Sequence, residues 1–190
     1  MSIIKDIYKY ARNGQTVFSL ADLSGIKPVY TGLKLNQAIK YLVKKNELIR
    51  LSKGLYSFDN KYSIYEFANK FRTPSYISLY TVLSESGVVF QLYKSIFVIS
   101  QRSEIKTINN TKIIYRKIKD EILLNNLGII ENNGVFKATV ERAICDKIYL
   151  DNDEYFDNLR SINWVNIKNI CHDVYNDSKI ISKWISKNTK

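Results

Sequence analysis

A helical pattern with a basic outer face passes directly into two short strand patterns between Thr31 and Phe58. The apolar residues of the helical part recur at the spacing of one buried helix face: Leu35, Ile39, Leu42 and Val43. Leu48–Leu51 and Leu55–Phe58 are rich in aliphatic and aromatic residues, and the Ser52-Lys53-Gly54 sequence between them favours a tight, basic hairpin turn. This region is therefore predicted to fold as an amphipathic helix followed at once by a β-hairpin.

The segments before this helix complete a recognisable order of elements. Ile3–Arg12 has the pattern of a first helix, and Phe18–Gly25 that of a short second one. In the second, Ser19 is expected to cap, Leu20 and Leu23 to face inward and Gly25 to end the turn. Helix, short helix, basic helix and hairpin together predict a winged helix-turn-helix DNA-binding domain over residues 1–60.

The outward positions of the basic helix carry side chains suited to reading a DNA groove. Lysine offers positive charge to phosphates or guanine, and asparagine and glutamine can pair with adenine through two hydrogen bonds. The hairpin is expected to hold the phosphate backbone. The candidate DNA-binding residues are Thr31, which is also a candidate helix cap, and Lys34, Asn36, Gln37, Lys40, Tyr41, Lys44, Arg50, Lys53 and Tyr56.

Charge agrees with this prediction without deciding it. Residues 1–60 contain ten Lys and Arg against four Asp and Glu, which places a surplus of six out of the chain's +11 in the N-terminal third. An amphipathic helix with lysines outside can also be only a solvated helix. Two alternatives stay open: a protein-interaction module that docks on a partner without specific DNA recognition, and an RNA-binding accessory protein that uses some of the fourteen tyrosines for stacking.

The remaining residues, 61–190, are predicted to form a mixed α/β domain, so that the fold class is α+β. With 190 residues and 45% hydrophobic content the chain can bury one or two cores, and a break near Asp59–Tyr62 favours two. Strands are predicted at Ser95–Ser100, Lys112–Ile118, Gly128–Ile130 and Val135–Ala138, the last two as a hairpin. Helices are predicted at Tyr62–Phe71, Ser75–Ser86, Val140–Leu150 (capped by Thr139 or a neighbour), Asp153–Arg160, Val165–Val174 and Ser178–Lys187.

Four phrases resemble the AbiEi family, the antitoxins of bacterial type IV toxin-antitoxin (abortive-infection) systems. They are Phe18–Leu23, Leu48–Tyr56, Tyr76–Gly87 and Ala138–Asp146, the last similar to that family's "T-x-E-R-A-x-x-D" helix start. The likeness covers most of the chain up to about residue 150. It implies a DNA-binding transcriptional autorepressor that acts on double-stranded DNA at its own promoter, and a C-terminal region that counters a nucleotidyltransferase-like toxin in antiviral defence. Inverted repeats in the promoter would call for a dimer on DNA.

No catalytic site, cofactor or metal is predicted. The single histidine, His172, has neighbours that point elsewhere on a helix, and Glu141, Arg142 and Asp146 are better explained by a helix dipole and an i,i+4 ion pair. Ser100–Arg102 could bind phosphate but lacks a glycine-rich loop. With no apolar run of about 18 residues, no signal peptide and no disulfide or zinc spacing of its two cysteines, the chain is expected to be cytoplasmic and free of membranes.

Overall fold

The computed structural model describes residues 14–26, 32–152 and 154–189. It divides the chain into two compact units, Met1–Phe71 and Arg72–Lys190. The predicted helix Ile3–Arg12 and the candidate residue Thr31 lie outside the described residues.

The first unit combines short helices with a small antiparallel sheet. In chain order its elements are β1 (Phe18–Ser19), α1 (Leu20–Ile26), α2 (Gly32–Lys44), β2 (Ile49–Ser52), β3 (Leu55–Ser57) and α3 (Ile64–Phe71). The sheet has the order β1-β3-β2, so β3 is its central strand. The apolar faces of α1 and α2 pack with the sheet around one core: Phe18, Leu23, Leu35, Ile39, Leu42, Leu48 and Tyr56.

The boundary between the units follows α3, eleven residues later than the predicted boundary at residue 60. Polar contacts tie α3 to the first unit. The Glu66 carboxylate accepts hydrogen bonds from the amide and hydroxyl of Thr16, at 2.8 and 2.6 Å. The Lys70 ammonium lies 2.7 Å from the Asp22 carboxylate at the start of α1. This helix therefore belongs to the N-terminal unit.

The second unit is built on a mixed six-stranded sheet in the order β6-β7-β5-β4-β9-β8. Its strands are β4 (Ser75–Ile77), β5 (Ile96–Ser100), β6 (Glu104–Ile108), β7 (Thr111–Lys117), β8 (Ile129–Asn132) and β9 (Val135–Ala138). Its helices are α4 (Tyr80–Glu85), α5 (Asp120–Leu123), α6 (Val140–Asp151), α7 (Trp164–Tyr175) and α8 (Lys179–Asn188). Parallel pairs join β5 to β7 and β4 to β9, and the other pairs are antiparallel. The predicted α+β class is confirmed.

Local signals located several of these elements correctly. The strands β5, β7 and β9 and the helices α6, α7 and α8 lie within one or two residues of their predicted bounds. The turn of the β8–β9 hairpin has positive φ at both Asn133 and Gly134, as its Asn-Gly sequence predicts. The Thr139 hydroxyl accepts from the Arg142 amide and caps α6, also as predicted.

The predicted helix Ser75–Ser86 is wrong in its first part. Residues 75–77 form the buried strand β4, which lies between β5 and β9, and only Tyr80–Glu85 is helical. Positive φ at Leu79 ends the extended stretch. Pairing with two neighbouring strands overrides the local helical pattern here, because it satisfies backbone groups that are buried on both sides.

The predicted helix Asp153–Arg160 is also wrong, since residues 154–160 are irregular. These residues make polar contacts with distant elements: the Glu154 carbonyl accepts from the indole N–H of Trp184, and the Asp157 carboxylate accepts from the amide of Phe90. Strand β6 was not predicted. Its signal is the pair Asn109-Asn110, whose positive φ values make the turn into β7.

None of the helices in the described ranges combines the length with the apolar character that crossing a membrane would need.

Candidate nucleic-acid interface

Helix α2 separates its residues into a buried face and an exposed face. Leu35, Ile39 and Leu42 are buried against the core of the first unit, and Val43 is half-buried beside them, in the predicted register. Because these residues recur every three to four positions, the intervening polar residues point outward. The helix is therefore held by its apolar stripe and leaves its polar face available.

The exposed face of α2 carries all six of the predicted groove-reading side chains that the structure describes. They are Lys34, Asn36, Gln37, Lys40, Tyr41 and Lys44. Tyr41 is 58% exposed and lies 5.9 Å below the Lys45 ammonium. Within the described part of the chain, no carboxylate lies within ion-pair distance of Lys34, Lys40 or Lys44. This face thus presents positive charge together with the exposed amide groups of Asn36 and Gln37.

The β2–β3 hairpin places two further cations at the surface of the same unit. Arg50 and Lys53 are exposed, and the Arg50 Nε–H donates to the Ser52 carbonyl at 3.4 Å. Gly54 has φ +79°, which the tight turn requires and which a larger residue would adopt only with strain. The Gly54 carbonyl accepts from the amide of Leu20 at 3.1 Å, so the turn is fixed to the start of α1.

Tyr56 is a correction to the predicted site, because it was expected on the surface of the hairpin. Its side chain is only 8% exposed and belongs to the core of the first unit. The reason is the extra strand β1: Phe18 pairs with Tyr56 on one side and Arg50 pairs with it on the other, which makes β3 central.

Two predictions for α1 are also wrong. Leu20, expected to face inward, is 37% exposed, whereas Leu23 is buried as predicted. Gly25 does not end α1, which continues to Ile26.

A capping box fixes the start of α1, the helix that precedes α2. The Ser19 hydroxyl accepts from the Asp22 amide at 3.0 Å, and the Asp22 carboxylate accepts from the Ser19 amide at 2.8 Å. The same carboxylate oxygen accepts from Lys70 of α3 at 2.7 Å. Burial raises the pKa of Asp22, but the Lys70 ammonium and the Ser19 donors outweigh it, so that the pKa lies below the ordinary value of 3.8.

The lowered pKa of Asp22 predicts a loss of stability in acid. Its contribution is complete above the unfolded value of 3.8 and disappears as the pH falls through the lower folded value. We expect Asp22→Asn to speed amide exchange in α1 at neutral pH, and the difference from the parent protein to shrink as the pH falls below about 4. Hydrogen exchange followed by NMR measures both. A difference that stays constant with pH would contradict the role of the carboxylate charge.

A second polar cluster lies inside the other unit, and its burial was not predicted. Arg142 and Asp146 are an i,i+4 pair on α6, as expected, but both side chains are fully buried, with 3.6 Å between Arg142 Nε and Asp146 Oδ1. The Asp146 carboxylate accepts from the hydroxyls of Tyr76, Ser78 and Tyr175, at 2.9, 2.7 and 2.6 Å. Burial raises the pKa of this carboxyl, and the guanidinium and the three hydroxyls oppose the rise.

The Arg142 guanidinium joins α6 to α5 and to the loop that follows α5. It donates to the carbonyls of Ile122, Asn125 and Leu127 and to the Tyr76 hydroxyl. The loop approaches so closely that a Cβ at Gly128 would lie 2.9 Å from the Arg142 Cβ. Glu141 points elsewhere and accepts from the Asn163 amide at 3.2 Å. The Glu-Arg-Ala-x-x-Asp phrase thus organises the C-terminal core, and the charged groups of Arg142 and Asp146 have no access to solvent.

The chain matches no protein-family model and no curated protein.

In the described ranges no three His, Cys, Asp or Glu side chains are grouped as metal ligands would be. His172 is exposed, and its Nδ1 lies 2.8 Å from the Asp177 carboxylate, which raises the pKa of the imidazole. Cys145 and Cys171 are buried and form no disulfide, and the Cys171 Sγ lies 3.6 Å from the Ser182 hydroxyl.

Proposed function

We propose that the protein is a sequence-specific DNA-binding regulator whose first unit is a winged helix-turn-helix. The observation that carries the proposal is the exposed face of α2, where lysines alternate with Asn36 and Gln37 and meet no carboxylate in the described part of the unit. Lysine and amide side chains together supply both classes of contact that DNA readout needs, to phosphates and to base edges. A helix that was only solvated would gain from carboxylates interspersed among its lysines.

In the proposed mechanism α2 enters the major groove and the β2–β3 hairpin follows the backbone. Asn36 and Gln37 would form hydrogen bonds with adenine. The lysines Lys34, Lys40 and Lys44 would position the helix in the groove through contacts with phosphates or guanine. Arg50 and Lys53 would neutralise phosphates along the adjacent strand. Tyr56 has no part in this contact, since it is buried. A promoter with inverted repeats would bind two copies.

The resemblance to AbiEi antitoxins extends the proposal to autorepression. Binding at its own promoter would block transcription of the operon, and the second unit would counter a nucleotidyltransferase-like toxin. The Glu-Arg-Ala-x-x-Asp phrase that resembles this family has a structural role here, because its Arg142–Asp146 pair is buried. It therefore supports a core in common with the AbiEi antitoxins. Contact with a toxin would be made by surface residues. We propose no enzymatic activity for this chain.

Fluorescence anisotropy against the protein's own upstream region tests the proposal. We expect tighter binding to that duplex than to a scrambled duplex of equal length, with a preference that persists when the salt concentration is raised. Specific binding retains its base contacts in salt, whereas purely electrostatic binding collapses. Equal, salt-sensitive binding to both duplexes would overturn sequence-specific regulation.

The same measurement separates the roles of α2 and the hairpin. Asn36→Ala or Gln37→Ala is expected to reduce the preference for the native duplex by about 1–3 kcal/mol, because base discrimination is lost. Lys53→Ala is the matched contrast: it should weaken all duplexes alike and lower the salt slope by about one. If all three variants lost affinity equally on every sequence, this division of roles would be wrong.

A further inference from the structure

A lysine-rimmed groove runs along α8 in the second unit. Its volume is about 500 Å³. A second cavity, of about 440 Å³, shares Trp184 and Lys187 with it and adds Tyr155, which is 82% exposed. The residues that line the first cavity are Asn152, Lys179, Ile180, Lys183, Trp184 and Lys187.

The lysines of the groove have a regular spacing. Lys179, Lys183 and Lys187 are four residues apart on one side of α8, which corresponds to a rise of about 6 Å between neighbours. The helix contains no Asp or Glu. Like charges at this spacing repel, and a cation in the first turn opposes the helix dipole, so Lys179 and Lys183 do not help α8 to fold. Their charge is better suited to an external anion.

The described part of the chain does not neutralise this charge. No carboxylate in it lies within ion-pair distance of Lys179 or Lys183. Glu154, an acid that lines the second cavity, is already engaged: its carboxylate accepts from the Tyr80 hydroxyl at 2.8 Å and lies 3.0 Å from the Lys147 ammonium.

The floor of the groove is apolar and fixed. Ile180 is 42% exposed, although it is a large aliphatic residue. Trp184 is held by the hydrogen bond from its indole N–H to the Glu154 carbonyl, at 3.1 Å, and by ring contacts with Trp164 and Phe156. A ligand for this groove therefore needs an apolar group as well as negative charge.

We propose that the α8 groove binds an acidic amphipathic helix of a partner protein. Carboxylates four residues apart on such a helix match the spacing of the lysines, and an apolar side chain between them covers Ile180. A nucleic-acid backbone offers the anions but has no aliphatic group for the floor. The proposal does not depend on DNA binding by α2, because the two surfaces belong to different units.

Titration of the full-length protein with a fluorescent synthetic peptide tests the groove. The peptide is an amphipathic helix with glutamate at every fourth position beside leucines, and the control peptide has the same composition in scrambled order. We expect the patterned peptide to bind at least about tenfold more tightly than the control, and Lys179→Gln with Lys183→Gln to remove at least about tenfold of its affinity. Ile180→Ser should weaken it as well.

Lys112→Gln with Lys168→Gln, at two exposed lysines of the same unit outside the groove, is the matched control and should leave peptide binding unchanged. Thermal unfolding of each variant verifies that the fold is kept. Equal binding of both peptides, or equal losses from the control and the groove double variants, would overturn the proposal. So would a loss of duplex DNA binding in the groove variants with peptide binding intact, because the lysines would then serve nucleic acid.

Discussion

Replacing Arg142 by methionine is expected to lower the free energy of unfolding of the second unit by about 3–5 kcal/mol. The substitution leaves the Asp146 carboxylate buried without its cation. It also removes the guanidinium N–H groups that donate hydrogen bonds to the carbonyl oxygens of Ile122 and Leu127. Methionine fills a similar volume, so the loss reports on charge and hydrogen bonds more than on a cavity. Urea unfolding followed by tryptophan fluorescence is the measurement, since both tryptophans, Trp164 and Trp184, lie in this unit.

Arg116 provides the matched control for this experiment. It pairs with Asp151 at 2.7 Å, but both side chains are partly exposed, at 36% and 28%. Arg116→Met should therefore cost only about 0–1 kcal/mol. A double-mutant cycle that combines Arg142→Met with Asp146→Asn should show a coupling free energy of about 0.5–3 kcal/mol between these two buried residues. Equal shifts of the urea midpoint for Arg142→Met and Arg116→Met would contradict the importance of burial.

Reversing the charge of Lys34, Lys40 and Lys44 together is expected to weaken duplex binding by at least about 100-fold. Each glutamate replaces an attraction to DNA with a repulsion, and like-charge contacts at an interface cost several kcal/mol. All three side chains are exposed, so the fold of the first unit should survive. Anisotropy titrations at a fixed salt concentration measure the affinity, and circular dichroism verifies the helix content.

The control reverses three exposed lysines of the other unit, Lys112, Lys117 and Lys119. Both triple variants lower the net charge of +11 by six units, so a difference between them depends on where the charge lies. We expect the control to retain most of its affinity for the native duplex. Comparable losses in the two variants would mean that the protein binds DNA only through its overall charge.

The elements that were predicted correctly are determined by residues that lie close together in the sequence. The register of α2 follows from Leu35, Ile39 and Leu42, and the turn of the β8–β9 hairpin follows from Asn133-Gly134. In each case spacing or backbone preference acts locally, and the tertiary structure agrees with it. The exposed candidate residues on α2 were accessible to prediction for the same reason.

The errors arise where distant segments decide the outcome. Tyr56 is buried because the two residues of β1 add a third strand, and so short a strand has no periodicity to detect. An i,i+4 pair such as Arg142 and Asp146 has the same spacing on an exposed helix as on a buried one. Only the packing of α6 among other elements distinguishes the two cases. The lysines of α8 likewise show their spacing in the sequence, but the groove beside them requires Asn152, and the adjoining cavity requires residues 154–156.

The hydroxyl of Tyr175 makes the residues after 151 a structural part of the second unit. The segments that resemble the AbiEi family end near residue 150, which invites the view that the remainder is a dispensable extension. Yet Tyr175 donates to the buried Asp146 at 2.6 Å, and α7 and α8 both pack on α6. A protein shortened to Asp151 would lose part of its own interior and, in a cell, would become a substrate for proteases. Deletions meant to separate the two units should therefore be made near Phe71, where one compact unit ends and the next begins.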